Sequence, residues 1–220
     1  MVEMERLAHR GWWTKAEEKN SVNALERALA AGYGVETDLR DHLGKIVISH
    51  DPPGKDSPEL NFEQLLDLYR RVGATGTLAL NIKSDGLAED ILRLLQAFEM
   101  PPYFVFDMSV PDMLAYSRLK MRCFVRQSEF ENPIVLEKET DYFPAAGIWL
   151  DSFTRIWYST GTIRQHLESG LDVCVVSPEL HRRDHRPWWD ELRAFLETTE
   201  LEPVDTSGKL LLCTDFPNEF

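Results

Sequence analysis

The residues with the most chemical promise are His9-Arg10-Gly11, Glu36-Thr37-Asp38 and His50-Asp51. Each group sits at or near the end of a short apolar run of β character. In such a set one imidazole takes a proton while another gives one, and a carboxylate pair holds a divalent cation. Those are the parts needed to cleave a phosphate ester.

The elements that must position them follow from hydrophobic patterning. Runs over Leu7–His9, Gly34–Asp38, Leu78–Lys83, Tyr103–Phe106, Arg122–Val125, Gly147–Asp151, Asp172–Val176 and Leu210–Thr214 read as strands. Between them, Val22–Ala31, Phe62–Arg71, Leu87–Phe98, Pro111–Leu119, Thr162–Ser169 and Trp188–Thr198 read as helices. Asn20-Ser21 and Asn61 stand where N-caps belong, and Gly32 and Gly170 where helices stop. Ile46–Ser49 adds a short extended segment beyond a turn at Leu43-Gly44. This alternation predicts an α/β protein: a (β/α)8 TIM barrel, one compact domain over residues 1–220 with a short loop after the second strand. The helix between the fifth and sixth strands is the least marked, and Asn132–Phe143 reads either as that helix or as a loop with one short helical turn.

With 43% apolar and 10% aromatic residues in 220, there is ample material for a buried core. No apolar run approaches the roughly 18 residues of a membrane span. The N-terminus is acidic and enters a strand at once, so no signal peptide is expected. Cys123, Cys174 and Cys213 lie far apart among apolar neighbours and read as buried free thiols of a reducing, cytoplasmic setting. A net charge of −13 argues against nucleic acid or an anionic membrane surface as partner. It also opposes an anionic phosphodiester substrate unless a bound cation reverses the field locally.

Catalytic groups of a barrel gather at the C-terminal ends of its strands. His9 ends the first strand. Glu36 and Asp38, two apart on the second, point to the same side of the sheet, and Asn81 and Lys83 repeat that spacing on the third. His50 ends the extended segment that follows the second strand. Singly, each is ordinary: a histidine at a strand end is commonly structural, an E-x-D pair commonly a solvated edge, and a lysine commonly on the surface. Two carboxylates on a strand buried on both faces are expensive, however, unless they are paired. Their order along adjacent strands argues for a site.

That order resembles the glycerophosphodiester phosphodiesterase family, whose pattern runs H-R-G, N-(S/T), E-x-D, H-D, E-x-K and T-D-(Y/F)-P. Here those positions are His9-Arg10-Gly11, Asn20-Ser21, Glu36-Thr37-Asp38, His50-Asp51, Asn81-Ile82-Lys83 and Thr214-Asp215-Phe216-Pro217, spanning nearly the whole chain. The resemblance implies that His9 and His50 are the acid–base pair. It implies Glu36, Asp38 and Asn81 at a Mg2+ or Ca2+ site, and Arg10 and Lys83 on the phosphate. Two departures stand out. Asn81 replaces an acid, which lowers the charge available to a divalent cation; Asp107 offers either compensation or a loop cap. The insertion that the family carries after H-D is mostly absent, because Asp51-Pro52-Pro53-Gly54 runs almost directly into the Asn61 cap.

Other residues invite a role. Trp12-Trp13 offers either an aromatic wall for a cationic head group or core packing. Trp149 and Asp151-Ser152-Phe153 end the sixth strand at the same face. His181-Arg182-Arg183-Asp184-His185-Arg186 is a basic stretch read as a solvated loop, and Trp188-Trp189 as the start of a packed helix. Three functions follow: metal-dependent hydrolysis of a small glycerophosphodiester-like substrate, internal attack giving a cyclic phosphate, or a non-catalytic barrel that binds a phosphorylated ligand.

Overall fold

The computed structural model describes residues 4–54, 60–133, 145–198 and 208–220. Its strands are β1 (Met4–His9), β2 (Gly34–His42), β3 (Lys45–Ile48), β4 (Leu78–Ile82), β5 (Tyr103–Phe106), β6 (Phe124–Gln127), β7 (Gly147–Leu150), β8 (Asp172–Val176) and β9 (Leu210–Thr214). The helices are α1 (Val22–Ala30), α2 (Phe62–Arg71), α3 (Ala88–Ala97), α4 (Val110–Arg118), α5 (Thr160–Glu168) and α6 (Arg186–Thr198). Eight parallel strands run in the order β5-β4-β2-β1-β9-β8-β7-β6, and β3 pairs antiparallel with the end of β2. A parallel bridge between Val105 and Cys123 joins β5 to the start of β6 and closes the ring. This is the expected TIM barrel.

Alternation within each strand explains how it closes. Inward positions carry Leu7, Ala79, Phe104, Phe106, Phe124, Trp149, Cys174, Val176, Leu211 and Cys213, which form one buried cluster. Phe104 stacks on Phe124 at 3.8 Å and Phe106 on Trp149 at 3.9 Å. Gly147 makes room for that packing, because a Cβ there would stand 2.6 Å from the Phe124 ring. Outward positions such as Val35, Leu80, Val173 and Leu212 meet the helices. Both faces of the sheet are therefore apolar, as a parallel sheet requires. The three cysteines are free and buried.

Ser21 caps α1, and Asn61 exchanges reciprocal hydrogen bonds with Gln64 in a capping box at α2. Several boundaries differ from expectation: β1 begins at Met4 rather than Leu7, and α5 and α6 each begin two residues early, at Thr160 and Arg186. β2 runs on to His42 because it pairs with β3. β6 lies two residues later than the predicted 122–125, so Arg126 continues the inward row begun by Phe124. The helix or helical turn expected within Asn132–Phe143 falls largely outside the described residues. Among the described residues no helix is long and apolar enough to cross a membrane.

One local feature aims the first motif. Arg10 (φ 57°) and Gly11 (φ 86°) are both left-handed, and Trp12 N then donates to Ala24 O at the start of α1. A Cβ on Gly11 would lie 2.6 Å from the Ala24 carbonyl carbon, so both conformation and space demand glycine. Gly11→Ala is expected to cost more than about 1 kcal/mol, read as a lowered urea midpoint at unchanged slope. An unchanged midpoint would mean that the turn carries no such constraint.

Candidate functional site

His9, Glu36, Asp38, Asn81 and Lys83 come together at the C-terminal mouth of the barrel. Strand register makes His9 the neighbour of Glu36, and Asp38 the neighbour of Asn81. His9 Nε2 lies 3.8 Å from Glu36 Oε2, while its Nδ1 is 2.6 Å from Asp215 Oδ1. Arg10 Nε is 3.0 Å from Asp38 Oδ2, and Lys83 Nζ is 3.5 Å from Asp38 Oδ1. Asn20 supports the same carboxylate, its Nδ2 donating to Asp38 Oδ2 at 2.9 Å and its Oδ1 accepting from Thr37 Oγ1 at 2.8 Å. Asn81 Nδ2 donates to Glu36 Oε1 at 3.3 Å.

Both carboxylates are buried, Glu36 at 2% exposure and Asp38 at 0%. Burial, reinforced by the charge of Asp38, pushes Glu36 up to about 7 even though His9, Arg10 and Lys83 oppose the shift. Burial also works to raise Asp215, but the hydrogen bond and charge of His9, with Lys19 3.6 Å away, leave it lowered. Asp215 therefore stays ionised and holds His9 through Nδ1; in the neutral ring the proton sits on Nδ1, and Nε2 is then the nitrogen that accepts.

Fit to a divalent cation is a question of donor atoms. Among the described residues no group of three or more His, Cys, Asp or Glu side chains is arranged to hold a metal. The oxygen set here is two carboxylates and an amide. Glu36 Oε2, Asp38 Oδ1 and Asn81 Oδ1 are all buried and lack a hydrogen-bond partner. Three hard oxygens from adjacent strands that receive no hydrogen bond suit Mg2+ or Ca2+ in kind, with less charge than three acids would give, although Lys83 and His9 stand near two of them.

His50 stands apart from this cluster. Its ring is 46% exposed and pairs with Asp51 at 2.9 Å. It shares a cavity of about 760 Å³ with Arg10, Lys19, Asn20, Ser49 and Gln64. Arg10 is thus the link between the cavity and the buried carboxylates.

Several expectations are corrected. Trp12 turns away from the mouth and packs edge-on against Tyr33 at 5.8 Å, in the layer between sheet and helices. Trp13 is the one beside the site, its Nε1 donating to His9 O at 3.2 Å and its ring 4.5 Å from Lys19 Nζ. Asp107 neither joins the oxygen set nor caps α4. It is bound by Arg126 at 2.6 Å and lies 3.8 Å from Lys83, and Ser109 does the capping. The basic stretch is solvated only in part: Arg182, Asp184 and Arg186 are exposed, whereas His181 Nε2 meets Asp151 Oδ1 at 2.7 Å and Arg183 donates to Ser152 Oγ at 2.8 Å. Sequence reasoning gave no role to Asp215, Lys19 or Arg126. The T-D-F-P motif is the signal that marks Asp215.

No family model matches the chain, and no curated protein matches it. Three solved structures superpose over nearly its whole length. One, assigned as a glycerophosphodiester phosphodiesterase from Galdieria sulphuraria, has a TM-score of 0.74 at 16% identity, covering 98% of this chain and 95% of that one. The fold is that of the glycerophosphodiester phosphodiesterases. The enzyme of that name from Agrobacterium tumefaciens str. C58 gives 0.67 at 16% identity, with 98% of each chain covered. A phosphodiesterase from Oleispira antarctica, in complex with its product sn-glycerol-3-phosphate, gives 0.65 at 14% identity, covering 97% of this chain and 93% of that one. A barrel of that fold thus carries this site at its C-terminal mouth, where TIM barrels hold their chemistry.

The raised Glu36 has a thermodynamic consequence in cation-free buffer. Its folded-state pKa exceeds the ordinary 4.5, so the folded protein holds this proton more tightly. Stability is therefore lost as the pH rises from about 4.5 to about 7, and is flat for this group above that. Glu36→Gln is expected to be more stable than the parent at pH 8, by up to about 3 kcal/mol, with the gain vanishing near pH 4. Urea titrations at the two pH values check it, and a pH-independent difference would contradict the burial argument.

Proposed function

We propose that this chain is a phosphoric diester hydrolase, cleaving a small glycerophosphodiester-like substrate to a phosphomonoester and an alcohol. The observation that carries the reading is the His9–Asp215 pair set beside two buried carboxylates at the barrel mouth. An imidazole with one nitrogen held by a carboxylate and the other unprotonated is poised as a general base.

In this reading His9 Nε2 removes a proton from water as its oxygen bonds to phosphorus. The P–O bond to the alcohol breaks, and protonated His50, in the adjoining cavity, supplies the proton that the departing alkoxide needs. Arg10 and Lys83 hold the phosphoryl oxygens where negative charge grows. Glu36, Asp38 and Asn81 would hold the divalent cation, Mg2+ or Ca2+. When bound, it polarises a phosphoryl oxygen and offsets the substrate's charge in an acidic protein. Asp215 and Trp13 keep His9 oriented from its ring and its backbone, respectively. The cavity, about 760 Å³, sets Arg10, Lys19, Asn20 and Gln64 beside Val22, Ile48 and Leu60, a mixed wall with room for a small alcohol. The likeness to a barrel bound to sn-glycerol-3-phosphate supports the same class of product.

Phosphorus NMR of a panel of glycerophosphodiesters and lysophospholipids, run with Mg2+, Ca2+, Mn2+ or excess chelator, tests the proposal. A phosphomonoester released only with metal is expected, and His9→Ala should lower kcat by about 10²–10⁴ while the protein stays folded, at a lowered unfolding midpoint because Asp215 loses its partner. A cyclic phosphate would replace water by an internal hydroxyl as nucleophile. No product with any cation, or full activity in His9→Ala, would sink the hydrolase reading.

Asn81 gives a second test that does not depend on turnover. Asn81→Glu restores a third negative oxygen, so calorimetry should show Mg2+ or Ca2+ binding at least about tenfold tighter. Without cation the same variant should be less stable, because a third buried carboxylate then faces Glu36 and Asp38. Unchanged affinity would remove Asn81 from the cation site.

A further inference from the structure

We propose that Glu179 is a positioning residue for the His9–Asp215 pair, setting the register of Asp215 where the strand ladder gives out. Glu179 lies in the short turn Pro178–His181 that follows β8, and its side chain is 8% exposed. One oxygen, Oε1, accepts from Thr214 Oγ1 at 2.5 Å and from Asp215 N at 3.1 Å. The other, Oε2, accepts from Ser177 Oγ and stands 3.6 Å from His185 Nδ1. Ser177 Oγ in turn accepts from Trp189 Nε1 at 2.8 Å, tying the carboxylate to α6.

The placement matters because of where backbone pairing stops. The last rung between β8 and β9 is Ser177 N donating to Cys213 O at 3.0 Å. Beyond it, Thr214 and Asp215 have no ladder partner on the β8 side, and Glu179 takes over as acceptor for both. Thr214 Oγ1 also accepts from Phe216 N at 3.0 Å, which shapes the turn that carries Asp215. A buried carboxylate that receives a backbone amide and two hydroxyls is held rigidly. Through Asp215 that rigidity reaches His9 and selects the tautomer with the proton on Nδ1. Loss of the support lets the ring take the other tautomer, whose Nε2 carries a proton and accepts nothing. His181 and His185 flank the same turn, but neither contacts His9, so the effect runs through Asp215. This inference rests on the reading of His9 as general base, yet the tautomer is measurable without any reaction.

The test is the 15N spectrum of histidine-labelled protein at a pH where the His9 ring is neutral, with Asp215→Asn as the reference for lost support. The parent should show His9 with Nδ1 protonated. Glu179→Met, which keeps the bulk and removes both acceptors, should show a mixture of tautomers, and kcat should fall about tenfold or more with KM nearly unchanged. Glu179→Gln retains an acceptor for Asp215 N and should restore both readouts. If Glu179→Met does not fold, Thr214→Val removes one of the two bonds at conserved volume and should give a partial tautomer shift. A folded Glu179→Met, or Thr214→Val in its place, with the His9 tautomer unchanged would overturn the proposal. So would a parent protonated on Nε2. Absence of turnover in the parent would instead count against the hydrolase reading and leave the tautomer result standing.

Discussion

Everything at the mouth of this barrel is organised by two carboxylates that face inward on a buried strand. Glu36 and Asp38 occupy positions that aromatic side chains fill on the opposite side of the ring. Removing such charges from water costs several kcal/mol each unless partners offset the loss. Asp38 receives that compensation in full view: Arg10, Lys83 and Asn20 all reach it. Glu36 receives less, and its raised proton affinity is the residue of an incomplete account. The left-handed turn at Arg10-Gly11 and the left-handed Asn20 (φ 62°) both exist where they bring a partner to these oxygens. A site therefore does not decorate this fold; its charges dictate the conformation of the loops around them.

The ring divides accordingly into two halves. β1, β2 and β4 carry most of the polar inward residues, whereas β5, β6 and β7 carry Phe104, Phe106, Phe124 and Trp149 in stacked pairs, with Arg126 at the rim of β6. The aromatic half is buried and stacked, a floor of low polarity against which nearby charges are weakly screened. The seam between the halves is electrostatic. Lys83 lies near both Asp38 and Asp107, and Arg126 binds Asp107 and Glu131. A chain of alternating charges thus crosses from the buried pair to the far rim.

What the sequence makes legible depends on how local the cause is. Strand alternation placed Glu36, Asp38, Asn81 and Lys83 on one face, and the neighbouring strands did bring them together with His9. The caps at Ser21 and Asn61 were readable because capping is decided within four residues. Asp215 and Glu179 were not readable in the same way: Asp215 meets His9 across 206 positions, and only ring closure makes β1 and β9 adjacent. Arg126 was missed for a different reason. The run 122–125 is the more apolar stretch, so patterning set the strand too early and hid an inward arginine just beyond it. Trp12 and Trp13 are adjacent residues with opposite fates, since the turn after Gly11 points one into the helix layer and the other over the His9 carbonyl.

The net charge of −13 then poses a physical problem for an anionic ligand that the site answers locally. Arg10, Lys19 and His50 line one cavity, but Arg10 and Lys19 already have carboxylate partners, Asp38 and Asp215. A phosphate entering there shares these cations rather than finding them free, so its attraction is the difference between two pairings. Differences of that kind stay small for a singly charged diester and grow as charge accumulates on phosphorus. If the chain hydrolyses a phosphodiester as proposed, binding strength would thereby shift away from the ground state and toward the transition state. The carboxylates that make the ligand's entry less favourable are the same ones that hold Arg10, Lys83 and His9 in place when that charge appears.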